Sequence, residues 1–393
     1  MNDPIVILSA MRTPMGGFQG ALAPQSAPEL GAVAIRAAVI AAGIAADDVQ
    51  EVFMGNVLPA GLGQAPARQA SLAAGLPLAA GCTTISKVCG SGMKATMLAH
   101  DLLLAGSNQI MVAGGMESMS NAPYLLPKAR AGMRLGHAQA IDHMFFDGLE
   151  DAYDKGRLMG TFAEDCAEKF GFTREQQDSY AITSLRRAQQ AIESGWFKPE
   201  IAPVTVRNRS GETLVEHDEQ PFNANIDKIP TMRPAFRKEG TVTAANSSSI
   251  SDGAAALVLM RRSEAERRGL QPRAVILGHS THAQQPGWFT TAPVAAMVKL
   301  LEQLTWRADE VDLYEINEAF AVVTMAAMAS LKLPHEKVNV HGGACALGHP
   351  IGASGARILV TLLSALEQRG LKRGVASLCI GGGEATAMAI EIV

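Results

Sequence analysis

Apolar and polar positions along the chain form two alternating kinds of segment. Short apolar runs predict β-strands over 4–10, 51–57, 109–115, 254–259, 274–278, 311–316, 375–380 and 385–393. Helical spacing of apolar residues predicts α-helices over 26–42, 65–74, 93–105, 174–194, 318–331 and 351–366. Because strands and helices alternate along most of the chain, we predict an α/β fold.

Two of the predicted helical stretches, 93–105 and 353–366, are apolar on nearly every side. A helix of this kind is buried on all its faces, so we expect helices sandwiched between sheets. Each stretch also follows a glycine-rich turn and precedes a strand, which ends in VAGGMESM (112–119) in one case and in CIGGGEATAM (379–388) in the other. This weak repeat predicts a duplicated α/β unit.

The segment 120–249 differs in composition from the rest of the chain. It is richer in charged residues, proline and glycine and has few apolar runs. The 174–194 helix is predicted to face solvent, and 205–218 alternates like an exposed hairpin. We interpret this segment as an inserted domain, or a set of covering loops, between strands of the core.

The overall composition is that of an ordinary globular protein. The 393 residues are 48% hydrophobic and 18% charged with a net charge of −4, so we expect neither nucleic acid nor an anionic membrane as partner. There is no apolar run long enough to span a membrane and no signal-peptide pattern at the N-terminus. Five cysteines without a CxxC pair argue against a disulfide framework or a cysteine-rich zinc site. We therefore expect a soluble, cytoplasmic protein in a reducing compartment.

One cysteine, Cys89, is distinguished by its surroundings. It lies in SKVCGSGMK (86–94), between a polar turn and the start of the 93–105 helix. The glycines permit a tight backbone path, and the unpaired N–H groups at the helix start are expected to lower the pKa of the thiol. Cys89 is therefore a candidate nucleophile, although a buried structural cysteine explains the same position equally well.

Three later residues are candidate partners for Cys89. His349 lies in a glycine-dense loop before the second buried helix, Asn317 lies where a strand turns into a helix, and Cys379 ends a strand followed by three glycines. Such positions are where α/β proteins place their sites. His349 is the natural base for a nucleophilic cysteine, and Cys379 is a candidate acid and base for a carbon acid. The glycine N–H groups are candidate oxyanion donors, and Asn317 is a candidate to orient a water molecule or the histidine.

Each of these residues also has a purely structural interpretation. A loop histidine commonly caps a turn, Asn317 could be the N-cap of the following helix, and Cys379 could belong to the core. The glycines of GHPIGASGAR (348–357) fit neither the GxGxxG nor the Walker pattern, so we discount a nucleotide-binding loop.

Taken together, several blocks of the sequence resemble the signature motifs of the thiolases, a family of acetyl-CoA acyltransferases. The blocks are VCGSGMKA (88–95), GGMESMS (114–120), DGLEDAY (147–153), MGTFAED (159–165), GTVTAANSSSISDGAA (240–255), NEAFA (317–321), GGACALGHPIGASGAR (342–357) and CIGGGEA (379–385). The resemblance runs in register from about residue 5 to the C-terminus. Several blocks at the family's spacing make it specific, where one block would not be.

The thiolase resemblance implies a five-layered αβαβα fold built from two duplicated βαβαβαββ halves. The implied N-terminal half comprises 1–119 and 250–270, and the implied C-terminal half comprises 271–393. Between them, 120–249 is implied to be a loop domain that covers the site and binds CoA.

The resemblance also implies a ping-pong reaction in which Cys89, activated by His349, becomes acylated by a thioester. Cys379 then takes a proton from the methyl group of acetyl-CoA in condensation, or returns one in thiolysis. One oxyanion hole is implied for His349 and a water held by Asn317, and a second for the backbone N–H groups of Cys89 and Gly381. The implied substrate- and CoA-binding residues are Leu149, Met159, Ser248, Phe289, Ala319 and Phe320. Neither a metal nor an organic cofactor is implied.

The activity expected from the resemblance is acetyl-CoA C-acetyltransferase, with CoA, acetyl-CoA and acetoacetyl-CoA as partners. Phe289 stands where the short-chain biosynthetic type usually has Met, so a 3-ketoacyl-CoA thiolase for longer or 2-methyl-branched chains is the alternative. The family forms homodimers or homotetramers, and 124–143 is a candidate tetramerisation loop. Two other classes compete. A Cys-His-Asn hydrolase leaves Cys379 unexplained, and a non-catalytic CoA or lipid carrier needs neither Cys89 nor His349.

Overall fold

The structure, a computed structural model, describes residues 3–208 and 211–393. The strands in these stretches are β1 (Ile5–Arg12), β2 (Gly16–Gly17), β3 (Glu51–Gly55), β4 (Gly81–Ile85), β5 (Ile110–Ser118), β6 (Tyr124–Leu125), β7 (Ile141–Asp142), β8 (Val204–Asn208), β9 (Gly211–Val215), β10 (Ser251–Arg261), β11 (Ala274–Ala283), β12 (Leu313–Ile316), β13 (Arg373–Ile380) and β14 (Glu384–Ile392). The α-helices are α1 (Ala27–Ala41), α2 (Pro66–Ala73), α3 (Ser91–Ala105), α4 (Met159–Phe170), α5 (Arg174–Glu193), α6 (Gln220–Asn223), α7 (Arg262–Arg267), α8 (Ala292–Leu304), α9 (Ala321–Leu331), α10 (Ala344–Leu347) and α11 (Ile351–Arg369).

The main sheet consists of two similar halves. The N-terminal half has the order β4-β3-β5-β10-β1, and the C-terminal half has the order β12-β13-β14-β11. In each half a parallel pair, β3 with β5 and β12 with β13, is followed by a strand that joins its neighbours antiparallel, β10 and β14 respectively. The predicted α/β class and its duplication are therefore visible in the strand order. The two sheets are also continuous, because β1 and β11 pair through two residues at their shared edge.

The two apolar helices predicted to be buried, α3 and α11, lie side by side at the centre of the molecule. They contact strands of both halves, and the first sixteen residues of α11 are buried. Glycines make this close approach possible. A Cβ atom on Gly92 of α3 would lie 2.9 Å from the backbone nitrogen of Ala356 in α11, and one on Gly55 would lie 2.7 Å from the carbonyl oxygen of Gly352.

The segment between β5 and β10 contains α4, α5, α6 and the small sheets β6–β7 and β8–β9. The prediction that the 174–194 helix faces solvent is wrong for one of its sides. Leu185 and Ala188 of α5 are buried in a cluster with Phe197 and with Leu347 of α10. The covering segment is thus fixed to the core by apolar packing.

Several elements differ from their predictions. The sequence analysis missed β4, α4, α8 and the short α10, which interrupts a glycine-rich stretch. The helix predicted from residue 318 begins only at Ala321, because 317–320 form a turn. Over the stretches 3–208 and 211–393, no helix combines the length and the apolar character needed to cross a membrane.

Candidate active site

Cys89 lies in a tight turn between β4 and the start of α3. The residue before it, Val88, has a φ of 44°, a left-handed conformation that a β-branched residue rarely adopts. The buried Ser91 hydroxyl holds the turn, since it accepts from the backbone N–H of Lys87 at 2.8 Å and donates to the carbonyl of Val88 at 2.6 Å. Backbone strain that surrounding hydrogen bonds maintain is characteristic of functional turns.

The Cys89 thiol is desolvated although the residue as a whole is only partly buried. It packs against two apolar clusters, one containing Met93 and the other containing Ile351. Burial raises the pKa of Cys89 to about 11, against the lowering effect of the backbone N–H groups of Gly381 and of Cys89 itself. The predicted lowering of this pKa is therefore wrong for the resting site, because desolvation outweighs the nearby donors. The thiol is protonated at neutral pH and needs a base.

His349 lies in the turn before α11, and its ring is buried. Nδ1 is 2.5 Å from the Oγ of Ser354, whose own hydrogen is donated to the carbonyl of Pro350 at 3.0 Å. Ser354 therefore accepts from Nδ1–H, so that Nε2 is the unprotonated nitrogen. Nε2 is buried and has no hydrogen-bond partner within the described residues. Burial, with a contribution from Arg357, lowers the pKa of His349 to about 3, so the ring is neutral at physiological pH and Nε2 keeps its lone pair.

Cys379 is fully buried near the end of β13, just before the glycine turn 381–383. Gly382 and Gly383 have φ values of 91° and 87°, which favour glycine. Ile380 packs directly over Gly90, where a side chain would collide with it, so this turn and the Cys89 turn lie together. Burial raises the pKa of Cys379 well above its usual range, and the nearby Cys89 raises it further. The two thiols are thus neighbours in an apolar environment.

Asn317 is fully buried after β12, and neither its amide oxygen nor its amide nitrogen has a hydrogen-bond partner in the part of the chain that the structure describes. It is not the N-cap of α9, because Phe320 holds that position. The adjacent Glu318 is paired, since its carboxylate accepts four hydrogen bonds of 2.7 to 3.0 Å, from Tyr180, Ser184, Asn339 and the N–H of Cys345. A buried amide without a partner costs free energy unless a water or a ligand pairs with it.

Most of the predicted substrate-binding residues gather beside Cys379. Phe289, Ala319 and Phe320 are buried in one apolar cluster with it, and Met159 packs at the edge of that cluster. The surroundings of Cys379 are therefore aromatic and aliphatic, which suits an acyl chain.

The two remaining predicted residues approach this cluster from different sides. Ser248 is joined to it, because its backbone N–H and its hydroxyl both donate to the carbonyl of Ala319 at 3.0 Å. Leu149 instead packs in a second cluster that contains Ile351 and includes Cys89. The structure thus brings Leu149 to the nucleophile and the other residues to the second cysteine.

Sequence reasoning assigned no role to a buried carboxylate next to these residues. Glu117, at the end of β5, accepts hydrogen bonds of 2.7 to 3.1 Å from the side chain of Asn56 and from the N–H groups of Val57, Leu58 and Gly352. Burial raises the pKa of Glu117 to about 7, although the three backbone donors oppose the rise. Glu117 ties β3 and β5 to the first turn of α11, close to His349. The only sequence signal was an acidic residue inside a buried strand.

Comparison with known families identifies the family of the chain. The description "Thiolase, N-terminal domain" matches residues 5–263, and "Thiolase, C-terminal domain" matches residues 270–392. The chain therefore belongs to the thiolase family and is an acyltransferase.

Curated relatives and solved structures agree with this family and fold. The chain is 49% identical to "Acetyl-CoA acetyltransferase" of Schizosaccharomyces pombe, over 100% of both chains. It is 51% identical to "Acetyl-CoA acetyltransferase 2" of Arabidopsis thaliana, over 99% of this chain and 97% of the relative. Its structure is similar to that of the Bacillus anthracis acetyl-CoA acetyltransferase, with a TM-score of 0.97 and 41% identity over 100% of both chains. A thiolase from Ascaris suum in complex with coenzyme A gives a TM-score of 0.94 and 42% identity, over 99% of this chain and 100% of that one. The predicted thiolase fold is confirmed.

Proposed function

We propose that the protein is an acetyl-CoA C-acetyltransferase, which condenses two molecules of acetyl-CoA to acetoacetyl-CoA and CoA and catalyses the reverse thiolysis. The observation that carries this proposal is the meeting of two neutral thiols, Cys89 and Cys379, beside turns that supply a neutral histidine and free backbone donors. The names of the full-length relatives support the same reaction.

In the first half-reaction, Cys89 attacks the thioester carbonyl of acetyl-CoA while its proton passes to Nε2 of His349. Since both groups are neutral at rest, we expect proton transfer to accompany the attack rather than precede it. The carbon–sulfur bond to CoA then breaks, and the leaving thiolate takes the proton of Cys379. The products are free CoA, an acetyl-Cys89 thioester, a protonated His349 and a Cys379 thiolate.

In the second half-reaction, the Cys379 thiolate removes a proton from the methyl group of a second acetyl-CoA. The resulting carbanion attacks the acetyl-Cys89 carbonyl, and a carbon–carbon bond forms as the bond to Cys89 breaks. Cys89 recovers its proton from His349, so all three groups return to their starting state. One cysteine cannot be acylated and act as the base at the same time, which explains why the site contains two.

Two sets of donors are available for the developing negative charges. The N–H groups of Cys89 and Gly381 are directed at the Cys89 sulfur, next to which the oxyanion of a tetrahedral intermediate would form. The buried amide of Asn317 is free to hold a water that, with His349, would stabilise the enolate of the second acetyl-CoA. Removing a single oxyanion donor typically costs about 10²–10³ in rate.

The apolar cluster beside Cys379 suits an acyl group. Phe289 is 3% exposed and packs edge to face against Phe162, with ring centroids 6.1 Å apart. The names of the full-length relatives support the acetyl group as the first choice. Phe289 keeps longer or 2-methyl-branched substrates as the alternative.

Several further expectations stay predictions. They are a division into halves 1–119 with 250–270 and 271–393, a loop domain 120–249 that binds CoA, a homodimer or homotetramer, a cytoplasmic location, and a reaction without metal or organic cofactor. For the oligomer, β6 and β7 pair within 124–143, and Leu135 in the segment between them is 98% exposed.

The test is the kinetics of thiolysis with wild type and Cys89→Ala. Acetoacetyl-CoA consumption is followed at several CoA concentrations, and longer and 2-methyl-branched 3-ketoacyl-CoA substrates are compared. Cys82→Ala is the matched control, because Cys82 lies on β4 away from the site. We expect parallel-line initial-rate plots, a preference for acetoacetyl-CoA, and a loss of at least about 10⁴-fold in Cys89→Ala.

Other outcomes would redirect the assignment. Higher kcat/KM for longer or branched chains would favour the alternative thiolase. Binding of CoA without turnover of any 3-ketoacyl-CoA would make the protein a carrier, and amide hydrolysis without CoA would make it a Cys-His-Asn hydrolase.

A further inference from the structure

Outside the active site, three side chains that commonly bind metals meet at the boundary between the two halves. His100 and Asp101 lie on α3, and His279 lies on β11. The Oδ1 atom of Asp101 is 3.1 Å from Nδ1 of His100 and 2.9 Å from Nε2 of His279. The donor atoms of all three residues lie within 4.8 Å of one another. Two imidazoles thus face a single carboxylate oxygen.

We propose that His100, Asp101 and His279 bind a divalent transition-metal ion of the zinc class, with water completing the coordination. Zinc bonds to imidazole nitrogen and carboxylate oxygen are about 2.0–2.2 Å long, which separates neighbouring ligand atoms in a tetrahedron by about 3.3 Å. The two separations from Asp101 are shorter than this by only a few tenths of an ångström. Two nitrogens and one oxygen suit such an ion better than calcium or magnesium, which prefer oxygen ligands.

The protonation of the cluster is compatible with metal binding. A carboxylate only accepts hydrogen bonds, so His100 Nδ1 and His279 Nε2 carry the hydrogens in the metal-free state. Among residues 3–208 and 211–393, neither ring is recorded in another hydrogen bond. In either ring the hydrogen can therefore be carried by the other nitrogen, which leaves the nitrogen that faces Asp101 available to a metal.

The cluster is both fixed and accessible. His100 is buried, and its ring meets that of His279 edge to face with centroids 5.1 Å apart. Asp101 has a side chain that is 51% exposed, which opens the cluster to solvent. Two ligands are therefore held in place by packing, and an ion can enter from the side of the third.

The position of the cluster defines what a bound ion would do. His100 lies about 14 Å along the axis of α3 from Ser91, so the ion would not touch the reacting atoms. It would instead join α3 of the N-terminal half to β11 of the C-terminal half. The proposed site is structural, and it is independent of the proposed reaction.

The test is metal binding by the full-length protein after treatment with EDTA and transfer to a thiol-free buffer. Co²⁺ is titrated while visible and near-ultraviolet absorption are recorded, and the Tm is measured with and without Zn²⁺. The ligand variants are Asp101→Asn and His279→Gln. His282→Gln, on the same strand outside the cluster, is the matched control, and Cys89→Ala removes the competing catalytic thiol. Thiolysis activity in the ligand variants shows that they are folded.

We expect one equivalent of Co²⁺ to bind with a visible band and without the intense near-ultraviolet band of a thiolate ligand. Asp101→Asn and His279→Gln should each lower the affinity for Co²⁺ by more than about 10-fold. A loss of about 10-fold is typical when a group that only hydrogen-bonds a metal ligand is removed. Zn²⁺ should raise the Tm by a few degrees in wild type, His282→Gln and Cys89→Ala. It should not raise the Tm of the ligand variants Asp101→Asn and His279→Gln. The proposal is overturned by no metal response in wild type, by an equal response in Asp101→Asn, or by a thiolate band that disappears in Cys89→Ala.

Discussion

The two halves of the duplicated fold place corresponding residues around the site and use them differently. Because β3 pairs with β5 in the same parallel arrangement as β12 with β13, the residues at the ends of these strands correspond. Asn56 of the N-terminal half corresponds to Asn317, and Glu117 corresponds to Cys379. In the N-terminal half, the Asn56 amide donates to Glu117 at 2.7 Å. In the C-terminal half, the Asn317 amide is unpaired within the described residues. The position that corresponds to Glu117 is occupied there by the Cys379 thiol.

The difference shows how one unit can serve two purposes. Where a carboxylate fills the position, four N–H donors are satisfied internally and the strands are tied to α11. Where a cysteine fills it, the neighbouring amide is left for a ligand or a water. The helix starts show the same division, because Cys89 lies two residues before α3 and His349 lies two residues before α11. Nucleophile and base are thus counterparts as well.

The largest expected effect comes from removing the Cys379 thiol. Cys379→Ala should lower condensation by at least about 10⁴-fold, because no group remains to take the methyl proton. Cys89 should still become acetylated by acetyl-CoA, more slowly, since its base is intact. Mass spectrometry of the protein detects the adduct. Cys166→Ala, a buried cysteine of the same cluster, is the control and should retain turnover. Normal turnover of Cys379→Ala would contradict its role.

Glu117, the counterpart of Cys379, should matter mainly for the stability of the protein. Glu117→Ala leaves the side chain of Asn56 and the N–H groups of Val57, Leu58 and Gly352 without their acceptor. We expect the free energy of unfolding to fall by about 3–5 kcal/mol, as for other broken buried polar networks. Urea denaturation measures this loss, and Glu219→Ala, which removes the acceptor of the N–H groups of Gly17 and Ala21, is the control. A loss below about 1 kcal/mol would mean that the carboxylate is not a structural centre.

Asn317 should show the reverse behaviour, with a larger effect on rate than on stability. Asn317→Ala removes an amide with no partner in the described part of the protein, so the free energy of unfolding should change by less than about 1 kcal/mol. The rate of condensation should nevertheless fall about 10²–10³-fold, as when an oxyanion donor is lost. Thiolysis and condensation kinetics, together with urea denaturation, separate the two effects. A variant that is unstable yet fully active at low temperature would reverse the assignment.

The smallest expected effect concerns the desolvated base. Because burial lowers the pKa of His349 to about 3, the unfolded chain binds a proton more readily than the folded protein below about pH 6.5. Its contribution to stability is complete above that pH and is lost as the pH falls toward the folded pKa. Relative to His349→Asn, wild type should lose about 1.4 kcal/mol more per pH unit between roughly pH 6 and pH 4.

Urea denaturation at several pH values checks this difference, with the partly exposed His282→Asn as the control. Burial also lowers the pKa values of His335 and His341 to about 4 each, so the variant should keep part of the acid sensitivity. Equal slopes for wild type and His349→Asn would show that the ring is not desolvated in the folded protein.

Local signals in the sequence predicted local structure well. The Ser26–Glu29 capping box that starts α1 is present, since the two residues bond each other's backbone N–H. The helices α3 and α11 are buried over most of their length, as their apolar character on nearly every side predicted. The positions of Cys89 and His349 in turns, and of Cys379 at a strand end, followed from glycines next to helix starts and strand ends.

Long-range features could not be predicted in the same way. The sequence repeat aligned the glycines 114–115 with 381–383, but the former lie inside β5 and the latter form a turn. Strand register depends on pairing partners far along the chain, so the correspondence of Glu117 with Cys379 was hidden. The Cys89 pKa was predicted in the wrong direction because desolvation depends on packing from both halves. His279 and Asp101 meet across 178 positions of sequence, which no local pattern shows.

The glycines where β3, α3 and α11 meet also affect how natural variants of this protein should be judged. A methyl group at Gly92 would push against the backbone of α11, and one at Gly55 of β3 would push against the backbones of both helices, which would displace the cysteine and histidine turns. A homologue or clinical variant with every reactive side chain in place could therefore be inactive through one added carbon atom. Surveys that infer activity from the presence of two cysteines and a histidine should also check that these two positions are glycine.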